Sequence, residues 1–73
     1  MMGASGKIKL QVNGQPFELE DGSTANELLE VLEIQHSAVA VEVNSEICPR
    51  DQLSNTPLNS GDVVEVVSLV GGG

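Results

Sequence analysis

The sequence closes on Gly71-Gly72-Gly73, directly after the strand-like run Asp62-Val63-Val64-Glu65-Val66-Val67-Ser68-Leu69-Val70. Glycine has no Cβ, so such a segment can be extended and narrow enough to thread a tight channel on another protein. The carboxyl carbon of Gly73 has no side chain beside it to hinder attack. A carboxylate is a poor electrophile, but a partner that converts it to an acyl-adenylate gives it a leaving group. The plain alternative is a frayed end, since order is usually lost at termini. The glycines alone leave both readings open.

The other reactive side chains do not assemble into chemistry. Cys48 is the only cysteine, which excludes an internal disulfide and a cysteine-based metal site. As a sulfur relay it needs a base or a cationic neighbourhood. Only Arg50 is close in sequence, so a small, buried thiol is the expectation. His36 is isolated after a helical stretch and makes neither a metal site nor an acid–base dyad. Arg50 itself reads as a member of a weak surface ion pair. The glutamates read as a solvated face rather than paired catalytic carboxylates. No nucleophile, base and orienting group can be collected, which disfavours an independent hydrolase or transferase. There is no Gly-rich phosphate loop with its lysine.

Composition narrows the partners. Eleven acidic residues against three basic ones give a net charge of -8, which argues strongly against nucleic-acid binding and suggests either a partner with a basic face or plain solubility. At 73 residues the chain makes one small domain with a marginal core. That core must be aliphatic, because Phe17 is the only aromatic residue, while 40% hydrophobic content is enough for folding. No apolar run is long enough to span a membrane, Met1–Gly6 has no features of a secretory signal, and a small domain without disulfides reads as cytoplasmic. The expected organisation is an N-terminal extension over 1–6, a folded domain over 7–70 and a flexible reactive tail over 71–73.

The elements that must position the tail follow from periodicity. Ile8, Leu10 and Val12 alternate with polar residues, predicting a half-buried strand. Asn13-Gly14 predicts a type I′ hairpin turn, and Phe17 and Leu19 mark the return strand. Pro16 places that strand at a sheet margin. Thr24 and Glu27 have capping-box spacing, and Ala25, Leu28, Leu29 and Leu32 form the apolar stripe of a short helix. Val39, Val41 and Val43 predict a third strand, Asn44-Ser45 a turn, and Glu46-Ile47-Cys48 a short fourth strand stopped by Pro49. Arg50 to Asn59 is expected to be a polar loop tethered by Leu53 and Leu58. Val63 to Val70 is the last strand. The order predicts an α+β fold, with one helix across a mixed sheet of four to five strands whose first and last strands run parallel at its centre.

These residues carry a resemblance. Val12-Asn13-Gly14-Gln15-Pro16-Phe17-Glu18-Leu19, Asp21-Gly22-Ser23-Thr24 leading into Glu27-Leu28-Leu29, Val39-Ala40-Val41-Glu42-Val43-Asn44, Pro49-Arg50, Gly61-Asp62-Val63-Val64-Glu65-Val66-Val67 and Val70-Gly71-Gly72-Gly73 together resemble the ThiS family of bacterial sulfur carriers in thiamin biosynthesis. Asn44-Ser45 departs from the family's frequent Asn-Gly. The resemblance implies a ubiquitin-like β-grasp fold and a carrier rather than an enzyme. It further implies that Gly73 is adenylated by a ThiF-like adenylyltransferase and becomes a thiocarboxylate that serves a ThiG-like thiazole synthase. ATP and magnesium belong to the activating partner, and this chain binds no cofactor of its own. Gly71 and Gly72 become the threading arm. If Val64 and Val66 face the core, then Val63, Val67 and Leu69 turn to the other side of the sheet, where they can dock the activating partner. The alternative is that parallel-type strands are apolar on both sides. The free carrier is expected to be a monomer. A sulfur carrier for molybdopterin or cysteine, a conjugating modifier that forms an isopeptide bond, and a β-grasp regulatory binding module remain as other readings.

Overall fold

Strict alternation makes Lys7–Val12 a strand, β1, with Ile8, Leu10 and Val12 buried. The chain reverses at Asn13-Gly14, where both residues have positive φ, 51° and 81°, as a type I′ turn requires. It returns as β2, Gln15–Glu20, paired antiparallel from Val12↔Gln15 to Lys7↔Glu20. The computed structural model describes residues 6–69.

Helix α1 spans Ala25–Leu32. The Glu27 N–H donates to Thr24 Oγ1 at 3.2 Å and the Thr24 N–H donates to Glu27 Oε1 at 2.9 Å, which closes the expected capping box. Its C-terminal end is less obvious in the sequence. Glu33 takes φ 60°, its N–H donates to the Glu30 carbonyl, and the Ile34 N–H reaches back to the Leu29 carbonyl at 2.9 Å. This is a Schellman closure with glutamate in the left-handed position that glycine usually fills. Ile34 then packs on the core beside the helix.

A 3₁₀ turn, His36–Ala38, leads into β3, Val39–Val43, which pairs antiparallel with β4, Glu46–Cys48. Asn44 and Ser45 make the turn between them with φ 53° and 73°. The type I′ geometry is therefore kept with serine in the place that favours glycine.

The stretch expected as an irregular loop is partly ordered: Arg50–Asn55 is a 3₁₀ helix. Its short period leaves no apolar stripe to read from sequence. The two tethers lie where the sequence puts them, with Leu53 and Leu58 buried. Backbone bonds from Ala25 N–H to the Thr56 carbonyl and from Leu58 N–H to the Ser23 carbonyl, both 2.9 Å, fasten this segment to the start of α1.

The last strand, β5, spans Val63–Ser68. It inserts between β1 and β3, so the five-stranded sheet has the order β2-β1-β5-β3-β4. The β1–β5 contact is parallel and the β3–β5 contact antiparallel. The core lies between this sheet and α1, built from Ile8, Leu10, Val12, Leu19, Val41 and Val64 on the sheet side and Ala25, Leu28 and Leu29 on the helix side. Pro16 sits in the edge strand, as its missing donor demands.

Candidate functional site

The site is built around β5, the strand that leads to the glycines. On the β3 side it is paired along its length, from Val43↔Val64 to Val39↔Ser68, and the Leu69 N–H adds a bond to the Ala38 carbonyl at 2.8 Å. On the β1 side the ladder is short, Gln11↔Val63 and Val12↔Val64, because β1 turns away at Asn13.

Two turn asparagines extend the hold on β5. Val66 N–H donates to Asn13 Oδ1 at 2.8 Å, and Asn13 Nδ2 donates to the Val66 carbonyl at 3.4 Å. The carboxamide thus takes the place of the next residue of β1. At the start of β5, Val63 N–H donates to Asn44 Oδ1 at 2.9 Å, and Asn44 Nδ2 donates to Asp62 Oδ1 at 3.0 Å. Both asparagines sit at positive φ, a conformation that asparagine tolerates better than most residues. The sequence marks them as turn residues, and their grip on β5 has no separate signal there.

Alternation along β5 splits its side chains between two faces. Val64 is fully buried under α1 and Val66 is partly buried with it. Val63, Val67 and Leu69 fall on the opposite side with 44%, 51% and 56% of their surface exposed. No helix of the described chain covers that side, so β5 is not apolar on both faces for the sake of a second buried layer. Cross-strand register adds Ala40 opposite Val67, and Ile47 beside Glu42. Ile47 is 63% exposed. It goes unnoticed in the sequence, although the alternation that turns Cys48 inward also turns Ile47 outward. Gly71, Gly72 and Gly73 lie outside the described residues.

The remaining candidates are placed apart from this face. Cys48 Sγ lies 3.2 Å from Thr56 Oγ1, a hydroxyl that already donates to the Gln52 carbonyl at 2.7 Å and offers no base. Arg50 makes no ion pair among the described residues. Its guanidinium donates to the Ser37 carbonyl at 3.5 Å, which corrects the expectation of a surface salt bridge. Among the described residues the ion pair is Lys9–Glu18 at 3.9 Å, between well exposed side chains and worth little. A concavity of about 500 Å³ beside the end of α1 brings His36 near Glu30, Ser37 and Ser54, but no hydrogen bond joins His36 to either serine among the described residues. No group of three metal-ligating side chains is found there either. No helix of the described chain is long and apolar enough to cross a membrane.

Comparison with known proteins agrees with this geometry. A family model described as the ThiS family matches residues 10–73. The chain is similar to the sulfur carrier protein ThiS of Thermus thermophilus, with 44% identity over 62 residues that make up 85% of this chain and 95% of that protein. It is also similar to a segment of the thiazole synthase of Paramagnetospirillum magneticum, with 36% identity over 66 residues, 90% of this chain but 20% of that protein. Among solved structures, the crystal structure of the thiamine biosynthesis protein ThiS from Geobacter metallireducens matches with a TM-score of 0.78 at 35% identity, covering 90% of this chain and 100% of that one.

Proposed function

This chain belongs to the ThiS family of small sulfur carriers, and from that premise we propose that Gly73 is the atom-bearing end of a sulfur relay for thiazole formation in thiamin biosynthesis. The observation that carries the reading is the family match, which runs from β1 through the last glycine. A carrier needs no catalytic set of its own, and the described side chains do not form one.

The proposed chemistry has three steps. The Gly73 carboxylate attacks the α-phosphorus of ATP on an activating protein, and pyrophosphate leaves. The terminal sulfur of a persulfide then attacks the acyl carbon and AMP leaves; a thiol cleaves the S–S bond of the resulting acyl disulfide, departing as an ordinary disulfide and leaving the thiocarboxylate. That sulfur is soft and anionic near neutral pH, which suits it to attack a substrate carbon on a thiazole synthase. ATP and magnesium stay with the activating, ThiF-like partner. Gly71 and Gly72 form the narrow arm that enters each active site. Val63, Val67 and Leu69 supply the apolar face against which the activating protein docks. A ThiG-like recipient is supported by the thiazole synthase that carries a segment similar to this chain. A cytoplasmic location accords with the free thiol of Cys48, and a monomer accords with a protein that must pass between partners.

The test is an intact mass after incubation with ATP, magnesium, a persulfide source, a thiol reductant and the cognate activating enzyme. The expected result is exchange of one C-terminal oxygen for sulfur, absent from a variant lacking Gly72 and Gly73. No mass change with a demonstrably active enzyme would move the reading to a conjugating modifier or a regulatory binding module.

A further inference from the structure

The outer sheet face carries two glutamates in an unfavourable arrangement. Glu42 of β3 and Glu65 of β5 are register partners. The bonds from Asn44 N–H to the Val63 carbonyl and from Leu69 N–H to the Ala38 carbonyl fix the alternation, so Glu42 and Glu65 form a hydrogen-bonded pair. Their Cβ atoms are then about 5 Å apart on the same face, where like charges repel.

Nothing in the described chain relieves them. The next residue in line beyond Glu65 is in the Asn13-Gly14 turn, and beyond Glu42 it is Ile47. The chain's three basic residues are Lys7, Lys9 and Arg50. Lys9 pairs with Glu18 and Arg50 bonds to Ser37, and none of the three makes an ion pair with Glu42 or Glu65. Around the two carboxylates stand Ala40, Ile47, Val63 and Val67.

We propose that the outer face of β5, β3 and β4 receives an apolar patch on the activating protein with one arginine at its centre, whose guanidinium seats between the Glu42 and Glu65 carboxylates. Its planar fork of donors can serve two carboxylates at once, which a lysine ammonium does with less geometric control. The surrounding aliphatic side chains exclude water from the ion pairs and strengthen them. A second copy of this chain is a poor occupant, because a two-fold contact sets the same carboxylates against each other. The inference rests on the carrier reading above and names the chemistry of its first partner.

The experiment measures adenylation kinetics for Glu65→Gln, Glu42→Gln and Glu65→Asp with the activating enzyme, alongside thermal melts. Both glutamine variants are expected to melt no lower than the wild type. Each should raise KM about tenfold or more with kcat unchanged, and should flatten the dependence of KM on salt. Glu65→Asp keeps the charge and should stay closer to the wild type. Normal charging of the wild type with an unchanged KM in both glutamine variants overturns the arginine seat and leaves the carrier role intact. Failure of the wild type to be charged by an active enzyme overturns both.

Discussion

β1 and β5 lie side by side in one sheet and put the same kind of residue on their inner faces, yet they differ on the outside. β1 follows the pattern of a half-buried strand, apolar inward and Lys7, Lys9 and Gln11 outward. β5 puts Val64 and Val66 inward and still shows Val63 and Val67 outward. Folding alone explains β1. The outward valines of β5 gain nothing from the core and stay open to the docking proposed above. The two halves of the outer face therefore differ in chemistry. The β2–β1 half meets water with charged and polar side chains, and the β5–β3–β4 half is the one that the proposed docking would cover.

This contrast can be broken by mutation. The largest effect on stability belongs to the inner face. Leu28 is fully buried, so Leu28→Ala should cost about 2–5 kcal/mol in urea denaturation. That is a large share of the stability of so small a domain, and partner activation should fall with the folded fraction. The next effect is at the boundary of the halves. Asn13→Ala removes the side chain that holds Val66 and leaves alanine at positive φ, so a loss of roughly 2 kcal/mol is expected. Asn13→Gly keeps the turn and removes only the grip on β5. Equal losses in both variants would assign the whole effect to the strand contact. The smallest effect on stability belongs to the outer face. Leu69→Asp should change unfolding by no more than about 0.5 kcal/mol while raising the KM for adenylation. Unchanged adenylation at unchanged stability would end the idea that this half is a docking face.

Much of this fold is legible in the sequence because short-range signals agree with one another. Asn13-Gly14, the Thr24–Glu27 box and the alternation of Val39, Val41 and Val43 each name one element, and each is present. The sequence is silent where geometry does not depend on a characteristic residue. Glu33 ends the helix in a left-handed conformation without glycine, and Arg50–Asn55 forms a 3₁₀ helix without an apolar period. The candidate site divides in the same way. Val63, Val67 and Leu69 are readable as an outward row because parity along one strand fixes them. Ile47, and the opposition of Glu42 to Glu65, depend on the register between strands distant in the chain, and only the folded sheet supplies it.

The position of β5 has a consequence for how the protein is made. Among the described residues β5 follows the other four strands in sequence yet lies in the middle of the sheet, and without it the β1–β2 hairpin and the β3–β4 hairpin share no strand pairing. A nascent chain whose residues 63–68 are still inside the ribosome therefore cannot close its sheet. The step that completes the body also brings into place the outward valines and the segment that leads to the glycines. Under the proposed docking, a partner that recognises the assembled face would therefore meet it only on chains in which β5 has taken its place between β1 and β3.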